Sequence, residues 1–213
     1  MVDAALASLE EGLCQIGVEA RSQTIDKLTL YLDLLETWNR AFNLTAVRSR
    51  QQMISRHILE SLAIAPFLSG ARRVDVGSGA GLPGIPLAIV EPDRHYTLLD
   101  SNGKKTRFLA EVKTRLGLPN VAVVTERVEH WRPQERFDAV LTRAFADLPT
   151  TCGKIAHLLD QSGHLFAMKS EGALNEAQSI PPAMEYVTQH SAVVPGQAEH
   201  VKLMVFRHSV GRA

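Results

Sequence analysis

The chain of 213 residues is 45% hydrophobic and 22% charged and has no run of roughly 18 apolar residues, so we expect a soluble, cytoplasmic globular protein without membrane contact. Its 23 basic and 23 acidic residues balance, which argues against a generally polyanion-binding surface and leaves contact with nucleic acid to local patches. The two cysteines and eight histidines are dispersed at no spacing typical of a disulfide framework or a zinc site, so we expect no bound metal.

The first 70 residues are predicted to be helical. Apolar residues recur at steps of three and four in 6–16 and 25–38, and more loosely in 54–64. Because each apolar stripe must be covered, we expect residues 1–70 to form a helical N-terminal extension packed on a main domain of residues 71–213.

From Arg72 onward, short apolar segments alternate with amphipathic helical segments. This alternation predicts an α/β, Rossmann-like fold, because strands that are apolar on both faces must lie between layers of helices. We expect a mostly parallel seven-stranded sheet, with the last two strands paired as an antiparallel hairpin that supplies a C-terminal edge strand. The predicted strands are RRVDVG, HYTLLD, VAVVTE, FDAVLTRAF, GHLFAMKS, MEYVTQHSAV and VKLMVFRH, and the predicted helices are LPGIPLAIVEP, KKTRFLAEVKTRLGL, TTCGKIAHLL and EGALNEAQSI.

The first predicted strand ends in a glycine-rich turn, VDVGSGAGLPGIP, at residues 74–86. In a doubly wound sheet the ligand lies at the carboxyl ends of the strands, and the first strand-to-helix turn contacts it. The glycines let the backbone approach the ligand, and a helix expected to start near Leu82 and Pro83 offers its N-terminus. The ligand-binding residues expected within the turn are Gly77, Ser78 and Gly79.

Two ligands fit this turn, and the glycine spacing alone does not separate them. Read from Gly79, GAGLPG matches the G-x-G-x-x-G of dinucleotide sites, with Asp100 about 20 residues further on. However, the match begins after the strand has already ended at Gly77, and the acidic Asp75 is more typical of S-adenosylmethionine sites. The chain is also too short for the substrate domain of a hydride-transfer enzyme. We therefore favour S-adenosylmethionine, with S-adenosylhomocysteine as product.

Asp100 closes the second predicted strand. A carboxylate at this position can accept hydrogen bonds from both ribose hydroxyls of a nucleoside. The alternative is an N-cap for the helix that begins KKTRFL, and the two roles are compatible.

Seven motifs, in the same order along the chain, resemble those of one known protein family. They are YLDLLETWNRAFNLTAV, RHILESLAIAPFL, DVGSGAGLPGIPLAI, LLDSNGKKTRFL, ERVEHW, TRAFADL and FAMKS. Together they closely resemble the RsmG (GidB) family of bacterial 16S rRNA guanine-N7 methyltransferases, from Tyr31 to Ser170. The resemblance implies a cytoplasmic enzyme with the fold of the class I S-adenosylmethionine-dependent methyltransferases. It also implies methylation of N7 of one guanine in the 530 loop of 16S rRNA, in the small ribosomal subunit.

The resemblance further implies roles for individual residues. Gly77 and Leu82 are expected to line the cofactor, and Arg143 to reach the cofactor side of the active site. Val128 and Glu129 are expected to hold the adenine, since a backbone N–H can meet a ring nitrogen and a carboxylate can meet the exocyclic amine. An exposed acidic loop is the alternative for this pair.

The chain departs from the family's usual pattern at three positions. Glu60 replaces the aspartate of HxxDSL, and Thr142 replaces a serine before an Arg-Ala pair. Glu199 stands where a basic residue is expected on the presumed RNA side. The third departure weakens any RNA contact assigned to the C-terminal edge.

The acceptor chemistry needs no general base, because guanine N7 carries an in-plane lone pair. The task left to the protein is to hold the nucleophile, the methyl group and the sulfur in line. Such positioning can lower the reaction barrier by roughly 7–11 kcal/mol in favourable cases. We expect Arg143 and Phe145 near the acceptor, Phe145 being either a stacking partner for an extruded guanine or a core aromatic. The TRAFADLP loop lacks the Asn-Pro-Pro-Tyr character of amino-group methylases. Cys152 lies in a predicted helix, too far from the strand end for a nucleophile.

Basic residues lie near the predicted carboxyl ends of the strands, where the substrate must arrive. We expect Lys104, Arg127 and Lys169 to contact rRNA phosphates, although a charge run is usually only a solvated face.

Two other functions stay open: a ribosome-associated module that binds S-adenosylmethionine without transferring its methyl group, and a small-molecule methyltransferase. The intact glycine turn and Asp100 argue against the first, and the helical extension and basic rim argue against the second.

Overall fold

The first part of the chain is helical, as predicted. A computed structural model describes residues 2–169, 176–198 and 200–209 of the protein. Two long helices carry the first two apolar stripes, and a third, irregular helical stretch follows them. The helices are α1 (Val2–Gln15) and α2 (Ser22–Phe42), and the third stretch consists of α3 (Arg50–Met53), a π-helical segment (Ile54–Leu59) and α4 (Glu60–Ala63).

The π-helical segment explains why the third apolar stripe is loose in the sequence. Hydrogen bonds in a π-helix span five residues rather than four, so buried positions no longer recur at the α-helical interval. The N–H of Glu60 accordingly bonds to the carbonyl of Ser55, five residues back. Ile54, Ile58 and Leu62 are nevertheless fully buried against the rest of the protein.

All seven predicted strands are present, in one sheet with the order β3-β2-β1-β4-β5-β7-β6. The first five pair in parallel, and β7 pairs antiparallel with both β5 and β6. The Rossmann-like prediction is confirmed, with β6 at the outer position and β7 one strand inside it. The strands are β1 (Arg72–Val76), β2 (His95–Asp100), β3 (Val121–Thr125), β4 (Phe137–Arg143), β5 (Leu159–Lys169), β6 (Met184–Ala192) and β7 (Val201–His208).

Helices α5 (Gly84–Val90), α6 (Gly103–Leu116) and α7 (Leu148–Ile155) follow strands β1, β2 and β4. The prediction that α5 starts near Leu82 and Pro83 is confirmed, since Pro83 is its N-cap residue and Gly84 its first residue. The buried Asp75 carboxylate accepts a 2.9 Å hydrogen bond from the Gly84 N–H, which fixes the start of the helix there.

The predicted helix EGALNEAQSI is described only at its end. Residues 176–179 form a short 3₁₀ turn there, so an α-helix is not seen in the described part, and residues 170–175 lie outside it. Glu199, where the family pattern suggested a basic residue, also lies outside the described residues.

The sheet separates two hydrophobic clusters. One face packs on α5, α6 and the helices of the extension, in a cluster that joins Leu28 and Leu35 of α2 to Leu98 and Leu141 of the sheet. The other face packs on α7. Because the extension and the sheet share one apolar cluster, the extension is covered by the sheet rather than standing alone. The boundary at residue 70 remains a prediction.

A buried arginine lies near the amino ends of the parallel strands. Arg73 is 1% exposed, and its Nη1 lies 2.6 Å from a carboxylate oxygen of Glu91 and 2.6 Å from the hydroxyl of Tyr96. Its Nε and Nη2 donate to the carbonyls of Gly70 and Leu68. All three guanidinium nitrogens are therefore bonded, which is what a buried charge requires.

Candidate functional site

The glycine turn crosses the carboxyl end of β1 and is anchored to β2. The N–H groups of Gly77 and Ser78 both donate to the carbonyl of Leu99, at 2.8 and 3.1 Å. Gly77 has φ of +70°, and a Cβ built on it would lie 2.7 Å from a ring carbon of Phe145. Only glycine fits this position, because a side chain would meet both an unfavourable backbone angle and the aromatic ring.

Asp100 is buried at the end of β2, beside the turn. Its Oδ2 accepts a 2.9 Å hydrogen bond from the Gly79 N–H, and its Oδ1 accepts one of 2.9 Å from the Asn102 N–H. The N-cap role suggested for Asp100 was wrong, because the side chain of Asn102 caps α6 by accepting from the Lys104 N–H. Each oxygen of an ionised carboxylate can accept about two hydrogen bonds, so Asp100 retains capacity for a ligand.

A cavity of about 300 Å³ opens between the ends of β1, β2, β3 and β4. Its apolar wall comes from Val76, Leu99, Val128 and Phe145, and Asp100 supplies a carboxylate. Of the predicted cofactor residues, Gly77, Asp100, Val128 and Glu129 line the cavity, whereas Ser78, Gly79, Leu82 and Arg143 are not among its lining residues.

The loop after β3 forms the far side of the cavity. Val128 is 5% exposed, and the carboxylate of Glu129 lies 2.6 Å from the Nζ of Lys154 on α7. The hydrogen bond from Lys154 lowers the pKa of Glu129. The backbone N–H of Val128 makes no hydrogen bond to backbone within the described part of the chain, whereas the N–H of Glu129 bonds to its own carboxylate. This loop therefore presents one backbone donor and a carboxylate beside an apolar surface.

Arg143, the last residue of β4, is held by the N-terminal extension. Its Nη2 donates to the Glu60 carboxylate at 2.6 Å and to the Arg56 carbonyl at 2.7 Å. Because side chains alternate along a strand and Asp75 pairs with Leu141, Arg143 and Asp75 extend to the same face of the sheet.

Three buried side-chain atoms lack a hydrogen-bond partner among the described residues: His57 Nδ1, Asp75 Oδ1 and Arg143 Nη1. Burial, followed by the charge of Arg143, lowers the pKa of His57 to about 4. Burial also raises the pKa of Asp75 to about 7, against the opposing effects of the Gly84 N–H and of Arg143. Unpartnered buried polar atoms are rare, and they cluster at functional sites. No role was predicted for His57 from the sequence. For Glu60 the sequence showed only that this residue replaces the aspartate of the family's HxxDSL motif.

Phe145 lies beside the cavity on a sharply turned segment. Ala144 precedes it with φ of +50°, a conformation that is uncommon outside glycine. The half-buried ring covers Gly77 on one side, and the Nζ of Lys154 lies 6.0 Å from its centroid. Stacking on a base and packing in the wall both remain compatible with this placement.

The three predicted phosphate contacts lie in different environments. Lys104 and Arg127 are exposed, and Arg127 lines the cavity. The Nζ of Lys169 instead donates to the Ala146 carbonyl at 2.6 Å and lies 3.2 Å from a carboxylate oxygen of Glu176.

Cys152 is fully buried, and burial raises the pKa of its thiol to about 11, as expected of a residue that is not a nucleophile.

The described residues contain no group of three or more histidine, cysteine, aspartate or glutamate side chains arranged to hold a metal ion. Within the same ranges, none of the helices combines the length and the apolar character that crossing a membrane requires.

Comparison with known proteins connects this geometry to a family. A family model described as GidB, rRNA small subunit methyltransferase G, matches residues 24–204. The ribosomal RNA small subunit methyltransferase G of Nitrosococcus oceani is 49% identical over 187 residues, which cover 88% of this chain and 87% of that protein. The protein of the same name from Ectopseudomonas mendocina is 45% identical over 204 residues, 95% of each chain. A solved SAM-dependent O-methyltransferase from Thermotoga maritima has a TM-score of 0.52 at 19% identity over 72% of this chain and 66% of that one, which is a likeness of fold alone.

Proposed function

The chain belongs to the GidB family, rRNA small subunit methyltransferase G, and we propose that it transfers a methyl group from S-adenosylmethionine to N7 of a guanine in the 530 loop of 16S rRNA. The observation that carries this proposal is the cavity at the carboxyl edge of the sheet, with Asp100 in its wall. We place the reaction in the cytoplasm, where the small ribosomal subunit is found.

The residues around the cavity fit a nucleoside. Asp100 is held by two backbone N–H groups and keeps acceptor capacity, so it suits the two ribose hydroxyls. Val128 and Leu99 offer apolar surface for a purine ring, and the backbone N–H of Val128 suits a ring nitrogen. Gly77 allows the backbone to approach the ligand closely.

Two of the unpartnered buried atoms suit the charged end of the same cofactor. Arg143 Nη1 is a cationic donor that matches a carboxylate, and Asp75 Oδ1 is an acceptor that matches an ammonium group. An amino acid carries both groups, and so does the methionine part of S-adenosylmethionine. Ser78 and Gly79 hold the glycine turn in place through their N–H groups, which donate to Leu99 and Asp100, and Leu82 stays a proposed cofactor contact.

When bound, S-adenosylmethionine supplies a methyl group on a positively charged sulfur. Guanine N7 attacks with its own lone pair, so the protein need not remove a proton. The work of the cavity residues is to orient the two reactants and to exclude water, and such positioning can lower a barrier by roughly 7–11 kcal/mol. His57 is suited to this setting as a neutral group, because its pKa of about 4 keeps it uncharged at neutral pH.

The rRNA side of the proposal rests on the rim of the cavity. Arg127 is an exposed cation that lines the cavity, and Lys104 is an exposed cation in the first turn of α6; we assign both to phosphates. Phe145 is assigned to the target base, against which its ring can stack. Lys169 is the weakest of the proposed phosphate contacts, because its ammonium group already bonds to Ala146 and Glu176.

The test is transfer of a labelled methyl group from S-adenosylmethionine to small subunits, bare 16S rRNA or small acceptors. Label on one guanine of the 530 loop is expected, and borohydride and aniline should cleave the RNA there, as they do at N7-methylguanine. Label on a small acceptor alone would favour a small-molecule methyltransferase. Binding of the cofactor without transfer to any acceptor would favour a binding module.

Cofactor recognition has a matched pair of variants. Asp100→Asn is expected to weaken S-adenosylhomocysteine binding by about tenfold, roughly 1.4 kcal/mol, in calorimetry. Asp138→Asn is the control, because Asp138 also accepts from two backbone N–H groups, those of Ala71 and Arg72, but lies at the opposite edge of the sheet. Equal losses in both variants, or a wild-type protein that binds a nicotinamide dinucleotide instead, would contradict the proposal.

A further inference from the structure

The π-helical segment leaves a backbone carbonyl available beside the active site. In an α-helix the Glu60 N–H would bond to Arg56, four residues back, but here it bonds to Ser55. The Arg56 carbonyl instead accepts from Nη2 of Arg143, at 2.7 Å. The irregular helix is therefore shaped to receive the end of β4.

Glu60, the first residue after that segment, holds the same nitrogen. Its Oε2 lies 2.6 Å from Arg143 Nη2, and the two side chains are 13% and 21% exposed. Both contacts go to one nitrogen, so the guanidinium is fixed in orientation while Nη1 stays unpartnered. Because the guanidinium group is planar and rigid, fixing Nη2 also fixes the direction in which Nη1 can donate.

A purely structural pair would use all of its hydrogen-bonding groups, as the buried Arg73 does with Glu91, Tyr96 and two carbonyls. Leaving a buried cationic nitrogen without a partner costs free energy unless a ligand supplies one. The contrast between the two arginines indicates that Arg143 is held for a ligand.

We propose that Glu60 is a positioning residue for cofactor binding: together with the Arg56 carbonyl it fixes Arg143, so that Nη1 is ready for an anionic group of the cofactor. The N-terminal extension thereby completes the cofactor site from outside the sheet. This inference rests on the proposed function, and in particular on a cofactor that carries a carboxylate.

The first test compares Glu60→Gln with Glu91→Gln, since each removes the charge from a glutamate that lies 2.6 Å from an arginine. Glu60→Gln is expected to weaken S-adenosylhomocysteine binding about fivefold to tenfold in calorimetry and to raise KM for S-adenosylmethionine equally, with KM for the rRNA within about twofold. Glu91→Gln is expected to leave both cofactor constants within about twofold. Glu60→Asp keeps a carboxylate and should recover most of the affinity.

A double-mutant cycle separates positioning from a structural role. If Glu60 acts through Arg143, Glu60→Gln should have no further effect on S-adenosylhomocysteine affinity once Arg143→Met has been made. Additive losses in the cycle, or equal effects of Glu60→Gln and Glu91→Gln, would overturn the inference. Because the readout is cofactor binding, a failure of the wild-type protein to methylate rRNA would count against the proposed function without affecting this test.

Discussion

Two arginine–glutamate pairs, Arg73–Glu91 and Arg143–Glu60, lie at opposite ends of the parallel strands and differ in whether every arginine nitrogen is bonded. In each pair a guanidinium nitrogen lies 2.6 Å from a carboxylate oxygen. Near the amino ends, every nitrogen of Arg73 is bonded within the fold. At the carboxyl end, Arg143 keeps a buried nitrogen without a partner among the described residues. We therefore expect the two ion pairs to have different roles: Arg73–Glu91 stabilises the fold, and Arg143–Glu60 positions a group for the proposed cofactor.

The largest effect is expected from breaking the pair that closes the fold. Arg73→Met should lower the free energy of unfolding by about 4 kcal/mol, because it removes the cation paired with the Glu91 carboxylate and leaves two carbonyls without their donor. Urea unfolding measures this loss, and methyl transfer per folded molecule should stay within about twofold of the wild type. The double variant Arg73→Met/Glu91→Gln should recover part of the stability. A change below about 1 kcal/mol in the single variant would show that the pair contributes little.

A smaller effect concerns the titration of two groups near Arg143. The pKa of Asp75 is raised to about 7, so its contribution to stability is present at low pH and is lost as the pH rises from about 4 to about 7. The pKa of His57 is lowered to about 4, so its contribution is present above about 6.5 and is lost as the pH falls toward 4. Between about pH 4 and 6.5 the two contributions therefore change the free energy of unfolding in opposite directions as the pH rises.

Single substitutions should reveal how each group makes the free energy of unfolding depend on pH. Relative to the wild type, Asp75→Asn should make the free energy of unfolding rise with pH between about 4 and 6.5, and His57→Gln should make it fall between about 4 and 7. Each change should amount to about 3 kcal/mol across its window, measured by urea unfolding at several pH values. Parallel curves for both variants and the wild type would contradict the assigned pKa shifts.

The smallest effect is expected at an exposed pair on the cavity rim. Glu129 and Lys154 lie 2.6 Å apart, but both side chains are 39% exposed. Lys154→Gln should therefore change the free energy of unfolding by less than about 0.5 kcal/mol, again by urea unfolding. A loss as large as that of Arg73→Met would mean that burial does not set the strength of these pairs.

The family and the succession of strands along the chain were predictable from local signals. Alternation of apolar and amphipathic segments predicted the sheet, and ordered motifs identified the family that the match over residues 24–204 confirms. Gly77 and Asp100 were predicted because each stands at the end of a strand, where a parallel sheet collects its ligand contacts, and Val128 and Glu129 were predicted from the family resemblance. All four line the cavity. The hydrogen bond from the Gly84 N–H to the Asp75 carboxylate was not predicted, because it joins two different elements.

The sequence by itself determined the layers, the glycine turn and the carboxylate of Asp100, because these depend on the period of apolar residues and on local backbone requirements. Only the tertiary structure decided which groups meet at the carboxyl edge. Glu60 and Arg143 are far apart in the chain, and a π-helical segment that no periodicity predicted brings the Arg56 carbonyl between them. Such contacts depend on how the extension packs on the sheet, and that packing has no local signature.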